Sequence, residues 1–335
     1  MSFFRLDPRD VVVSADTVSS TVWSSEAVYL TTFHSSSAQL LLSSADFYAE
    51  VRATNSPTAP VEFSVAYADA KGSGSAPFNA AVVGTSPTST IYNQISNLVL
   101  GDNDESFVFG TEASDYFYVL SVDRARYHEK LLPGSFNLQI SGSGGNTLKL
   151  TDNSLDVTGE TFTEAGRVYD IVSGSNGSSY DGSGVTVSGS YGWMLPDVGL
   201  VLLNGKALDL AAADGGADLG TDRSTNTNSV RNYLKAFNAI KGGASFRLNS
   251  EETITSNYIF ARVRSDEANY STNPSMISGS SGDLLHEEMI YSPVSYITTV
   301  GIYNDNNDLL AVAKLSKPLK KDFTKEALVR IKLDY

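Results

Sequence analysis

Apolar and polar positions alternate along much of the chain. Val61, Phe63, Val65 and Tyr67 share one face of an extended segment, and Phe136, Leu138 and Ile140 repeat that period of two. Shorter β-branched and aromatic runs at Val11–Val13, Thr21–Trp23 and Val28–Leu30 read as further strands. The unbroken apolar run Tyr116–Val122 reads as a buried strand. So does Leu195–Leu203, closed by Asn204-Gly205, a strong tight-turn signal. Phe246–Leu248 and Tyr258–Arg264 add two strands, with Tyr258 and Phe260 on one face and Ile259, Ala261 and Val263 on the other. Near the end, Tyr296–Tyr303 and Leu309–Leu315 flank Asn304–Asp308 as a hairpin, and Ala327–Tyr335 alternates up to the last residue. One stretch has helical spacing. Val230, Tyr233, Leu234, Phe237 and Ile240 predict an amphipathic helix from about Ser229 to Lys241, with Gly242-Gly243 as its stop.

This pattern predicts a mainly β protein of antiparallel, sandwich-like sheets with one clear amphipathic helix near 229–241. It divides into an N-terminal β domain (1–140), a Gly/Ser-rich meander or insertion (141–192), and a C-terminal β-rich docking domain that carries the helix (193–335). The middle segment is low in complexity, with Ser173–Ser179 and Asp181–Gly184 as examples, and short apolar runs lie between its Gly/Ser turns.

Composition sharpens the picture. The chain has 335 residues, a length suited to more than one structural unit. With 41% hydrophobic and 10% aromatic residues it can build ordinary cores, so global disorder is excluded. No run is apolar enough to cross a bilayer and Met1–Asp10 lacks a signal-peptide pattern, so the chain reads as soluble, with no membrane partner. The 24 basic and 38 acidic residues give a net charge of −14, which argues against duplex nucleic acid as the main partner. Charge is unevenly placed: residues 311–335 hold seven basic and three acidic side chains, while the other 310 residues carry −18. Such polarity suits docking against copies of the same chain or another acidic protein.

Catalytic patterns are missing. Without cysteine there is no disulfide framework, thiolate zinc site or thiol nucleophile. His34, His128 and His286 stand far apart, and His286-Glu287-Glu288 lacks the second imidazole of a metal motif. Neither a phosphate-binding loop nor a nucleophile elbow follows a strand. Asp102–Glu105 and Asn304–Asp308 offer oxygens at calcium-like spacing, but neither has the glycine and late glutamate of a calcium loop. No cofactor and no metal is expected. Among the aromatics, Tyr48, Tyr92, Tyr180 and Tyr191 are the candidates for exposed glycan platforms, with core packing as the competing role.

The segments Gly242–Arg247, Tyr258–Arg264, Asn269–Pro274 and Tyr296–Lys314 resemble a family of virion structural proteins of large contractile-tailed phages, notably those of cyanobacteria. Val61–Tyr67, Gly72–Gly74, Ile91-Tyr92, Asp123–Lys130 and Pro133-Gly134 fit the same family. The resemblance implies a non-enzymatic tail protein, with a baseplate wedge or periphery subunit as the leading place. A neck or collar protein and a receptor- or glycan-binding tail protein are the alternatives. It implies as partners other virion proteins and copies of itself, present in multiples of six, and carries no active-site residues. The candidate interface is the basic set Lys314, Lys317, Lys320, Lys321, Lys325, Arg330 and Lys332. Those lysines, with Pro318, read equally as protection of a sheet edge against aggregation.

Overall fold

A computed structural model of the protein describes residues 5–35, 48–74, 86–224 and 231–334, apart from Asp104, Ser143, Glu160, Gly182, Ser183, Thr272 and Ser280. It is mainly β, with antiparallel pairing throughout and few helices. The chain forms two compact units: Val18–Glu252, and Met1–Thr17 together with Thr253–Tyr335. Strand β1 (Val11–Thr21) runs across the first boundary.

The larger unit is built on one extended sheet. Its strands are β2 (His34–Ser35), β3 (Tyr48–Arg52), β4 (Phe63–Asp69), β5 (Tyr116–Val122), β6 (Asn137–Ser141), β7 (Thr147–Asp152), β8 (Gly166–Ser175), β9 (Gly192–Leu195), β10 (Leu200–Asn204) and β11 (Phe246–Arg247). They lie in the order β11-β6-β7-β8-β9-β10-β5-β4-β3-β2. The expected boundaries at 140 and 192 fall inside this sheet, since β6 pairs with β7 and β9 pairs with β10.

The period of two sorts the core into two layers. In β5, Tyr118, Leu120 and Val122 face one cluster, and Phe117 and Val119 face the other. Helix α2 (Asn232–Gly243) covers the first face with Tyr233, Phe237 and Ile240, beside a tight aromatic group of Trp23, Phe33, Phe63, Phe136 and Phe246. The second face is covered by α1 (Pro87–Val99), which buries Tyr92, Ile95 and Val99 against Phe107, Phe109 and Phe117.

Helix α1 departs from the single expected helix. Its apolar residues are sparse among Thr, Ser and Asn, so its helical period carries little signal until the sheet supplies a partner. The other helix matches the expectation in place. Residues 225–230, where its start was expected, lie outside the described residues, and its end passes through Gly242 and Gly243 to Ala244, which takes the left-handed cap at φ 51°. Gly243 serves close approach instead: a Cβ there would meet the Gln139 carbonyl oxygen at 2.0 Å.

The run Leu195–Leu203 is likewise two strands, β9 and β10, joined by a turn at Pro196–Gly199. Asn204 caps a short helix, Gly205–Asp209, its side chain accepting from the Lys206 N–H at 3.1 Å. An Asn-Gly pair suits either a hairpin or a helix start, and here the buried Asn204 amide also donates to Ser188 and Ser190 carbonyls.

Strand β12 (Asn249–Val263) runs across the second boundary, and its residues from Ser256 on, in the smaller unit, pair with β15 (Ala327–Asp334). The predicted hairpin forms a separate two-stranded ribbon of β13 (Val294–Tyr303) and β14 (Leu309–Asp322). Its turn closes with Asn304 N–H to Asp308 O, while the Asn304 side chain accepts from the Asn306 and Asp308 N–H groups. Turn chemistry thus accounts for the oxygen-rich segment.

Candidate docking interface

Alternation gives the β13–β14 ribbon two faces. Val300, Ile302, Ala313 and Leu315 pack with Ile259, Val329 and Ile331 of β12 and β15, which makes a thin two-layer core. The other face points outward. There Tyr296 stands opposite Lys320, Thr299 opposite Lys314, and Gly301 opposite Val312. Tyr296 is 61% exposed, Val312 57% and Leu310 64%, so apolar side chains and lysines interleave on one open surface.

The expected basic set divides. Lys314, Lys317, Lys320 and Lys325 are exposed on or beside the ribbon. Lys320 also lies 3.8 Å from Asp322. Pairing passes from Ile297↔Leu319 to Thr299↔Lys314, so Lys317 and Pro318 sit in a bulge, the place where a strand tolerates proline. Arg330 and Lys332 belong to β15 instead, whose Val329 and Ile331 point into the core. They lie beside Tyr258, and Lys332 pairs with Asp334 at 3.0 Å. The hydrogen bond to Asp334 raises the Lys332 pKa.

Lys321 is not available to a partner. It is fully buried, and its Nζ donates to Ser265 O (2.9 Å), Asn269 Oδ1 (2.8 Å) and Asp322 O (3.0 Å). Lys321 keeps the parity of Ala313 and Leu315 on the inward side of β14, so a lysine inside a basic run turns inward and ties the 265–269 turn to the strand.

Sequence reasoning also missed a polar network in the larger unit. Asp69 at the end of β4 is fully buried; its carboxylate meets Arg223 Nε at 2.7 Å and accepts from the Tyr67 hydroxyl (3.2 Å) and the Lys71 N–H (2.8 Å). The Arg223 guanidinium lies 4.6 Å from the Tyr116 ring centroid. Tyr116 in turn donates to Asp209 (2.9 Å), which accepts from Thr221 N–H and hydroxyl, and Thr221 bonds Tyr118 at 2.7 Å. Burial pushes the Tyr67, Tyr116 and Tyr118 hydroxyls well above their ordinary range, so they act as hydrogen-bond donors and not as bases. The network staples residues 209–223 onto the sheet. Partners up to 154 residues apart carry no shared signal along the sequence.

Among the tyrosine platforms, Tyr92 and Tyr191 are core residues, Tyr48 is half-buried, and Tyr180 is 60% exposed. No group of three His, Asp or Glu among the described residues could hold a metal ion, and no helix there is long and apolar enough to cross a membrane. No family model, curated protein or solved structure matches this chain.

Proposed function

We propose that the protein is a non-enzymatic structural subunit of a contractile phage tail, placed in the baseplate wedge or periphery and assembling by protein–protein contacts. The observation that carries this reading is the outward face of the β13–β14 ribbon. Tyr296, Leu310 and Val312 stand on it exposed, interleaved with Lys314 and Lys320. Exposed apolar anchors ringed by flexible cations suit an acidic partner surface. The larger unit of a second copy has that character, with 13 basic and 25 acidic residues. The resemblance of the Tyr296–Lys314 segment to tail proteins points the same way.

An averaged cryo-electron microscopy map of purified particles tests the proposal. Density for this chain at the distal tail end, in multiples of six, is the expected result. Density at the head–tail junction would reassign it to the neck or collar. Absence from purified particles would overturn the structural reading.

A further inference from the structure

On the larger unit, the outer face of the sheet carries a second surface with a different chemistry. Strands β6 and β7 place Gln139 opposite Lys149, at the floor of a shallow groove of about 90 Å³. Tyr29 and Tyr180 line it, 46% and 60% exposed, with Ser245 beside Gln139. Among the described residues, the Gln139 side-chain amide, the Lys149 ammonium and both tyrosine hydroxyls have no hydrogen-bond partner within the chain. They are unspent donors and acceptors in a groove that two open aromatic rings also line.

Backbone chemistry holds the tyrosines in place. Asn176-Gly177, with φ of 53° and 83°, forms the tight turn that folds Ser178-Ser179 back on β8. Asn137 spends its amide on that turn, accepting from the Asn176 N–H at 2.7 Å. The Tyr180 N–H then donates to Ser173 O at 3.1 Å. Next to Tyr29, Leu30 exchanges both backbone hydrogen bonds with Phe246, at 2.8 and 3.0 Å. Both rings are therefore mounted on fixed backbone, which lowers the entropy lost when a ligand is held.

From this geometry we infer that the groove binds an oligosaccharide. Its volume equals about three waters' share of the liquid, too small to enclose a drug-sized apolar ligand, which calls for ~300 Å³ or more. A sugar ring needs less enclosure. Its C–H faces lie on exposed aromatic rings, and its hydroxyls or a uronate carboxylate take the free amide and ammonium. This site is independent of the ribbon, so it stands or falls apart from the tail assignment.

The test is an array of defined oligosaccharides, neutral and uronate-bearing, probed with the full chain, then titration calorimetry on the strongest binder. Tyr180→Ala and Tyr29→Ala are each expected to weaken binding about tenfold or more, since aromatic anchors dominate such contacts. Lys149→Ala is expected to weaken uronate-bearing ligands more than neutral ones. Tyr291→Ala, at a 91% exposed position in the smaller unit, should bind like the parent chain. All four positions are exposed, so unchanged circular dichroism and melting are expected and separate binding from folding. No array signal above the blocked control, or binding that survives Tyr180→Ala, would overturn the inference.

Discussion

The two units solve the burial problem differently. In the larger one, two apolar layers close both sides of a long sheet, and the strand at its centre is buried on both faces. In the smaller one, only Ile259, Ala327, Val329 and Ile331 are buried apolar residues, while fifteen large apolar side chains stand exposed among the described residues. Among its described residues the larger unit, with more than twice the length, exposes eleven. A thin core with a wet apolar face is poorly explained by self-sufficient folding and well explained by a surface meant to be covered. Charge follows the same division: the larger unit carries a net −12 and the smaller one −2.

The sharpest break comes from the larger core. Phe63→Ala removes the ring that contacts Trp23, Phe33 and Phe246, and is expected to cost about 3–5 kcal/mol. Both tryptophans, Trp23 and Trp193, belong to this unit, so urea unfolding followed by tryptophan fluorescence reads it selectively. Arg223→Ala leaves the buried Asp69 carboxylate without its counter-charge. Because Arg223 is 31% exposed, the expected loss is at the low end, about 2 kcal/mol, in the same assay.

Lys321→Ala strands the Asn269 oxygen and two carbonyls, at a cost of about 2 kcal/mol to the smaller unit. Hydrogen exchange should rise in peptides covering 265–269 and 319–323, while the tryptophan transition stays in place. A shift of that transition would show that the units do not divide as described.

A smaller effect concerns acid. Burial raises the Asp152 pKa above the ordinary carboxylate value, so the folded state holds that proton more tightly than the unfolded chain. Its stabilising contribution is complete below the ordinary value and is lost as pH rises through the raised one. Asp152→Asn should therefore gain thermal stability relative to the parent chain as pH increases across that interval. An unchanged difference in melting temperature from pH 4 to 7 would contradict it.

The smallest effect on stability belongs to the ribbon. Leu310→Ser with Val312→Ser should change stability by about 0.5 kcal/mol or less, because both side chains are already in water. The same pair should reduce incorporation of the chain into particles.

How much of this was readable in the sequence depended on the range of the forces involved. The strands β4, β6, β13, β14 and β15 follow from alternation, because each buries a face against a neighbour and period two records it, whereas β5, buried on both faces, shows as an unbroken apolar run. Helix α1 was hidden by its serines and threonines, which favour helix only once Tyr92, Ile95 and Val99 find the sheet. Asn204-Gly205 had the right turn chemistry for two different structures, and the buried partners of Asn204 chose between them. In the candidate interface, the exposed lysines were legible as a basic run. The inward turn of Lys321 was not read, although it is in phase with Ala313 and Leu315, because the basic residues around it mask the period of two. The Asp69–Arg223 network and the Tyr29–Tyr180 groove join residues far apart in the chain, where only tertiary structure brings them together.

The central claim is that the β13–β14 ribbon is covered in the assembled particle. Cross-linking mass spectrometry on intact particles with a carbodiimide, which activates carboxylates so that neighbouring lysine amines form amides with them, tests it most directly. The prediction is cross-links from Lys314, Lys317 and Lys320 to acidic regions of other chains, lost in the Leu310→Ser, Val312→Ser variant. If these lysines give only intrachain links, while residues of the larger unit carry all the links between chains, the ribbon is not the docking face.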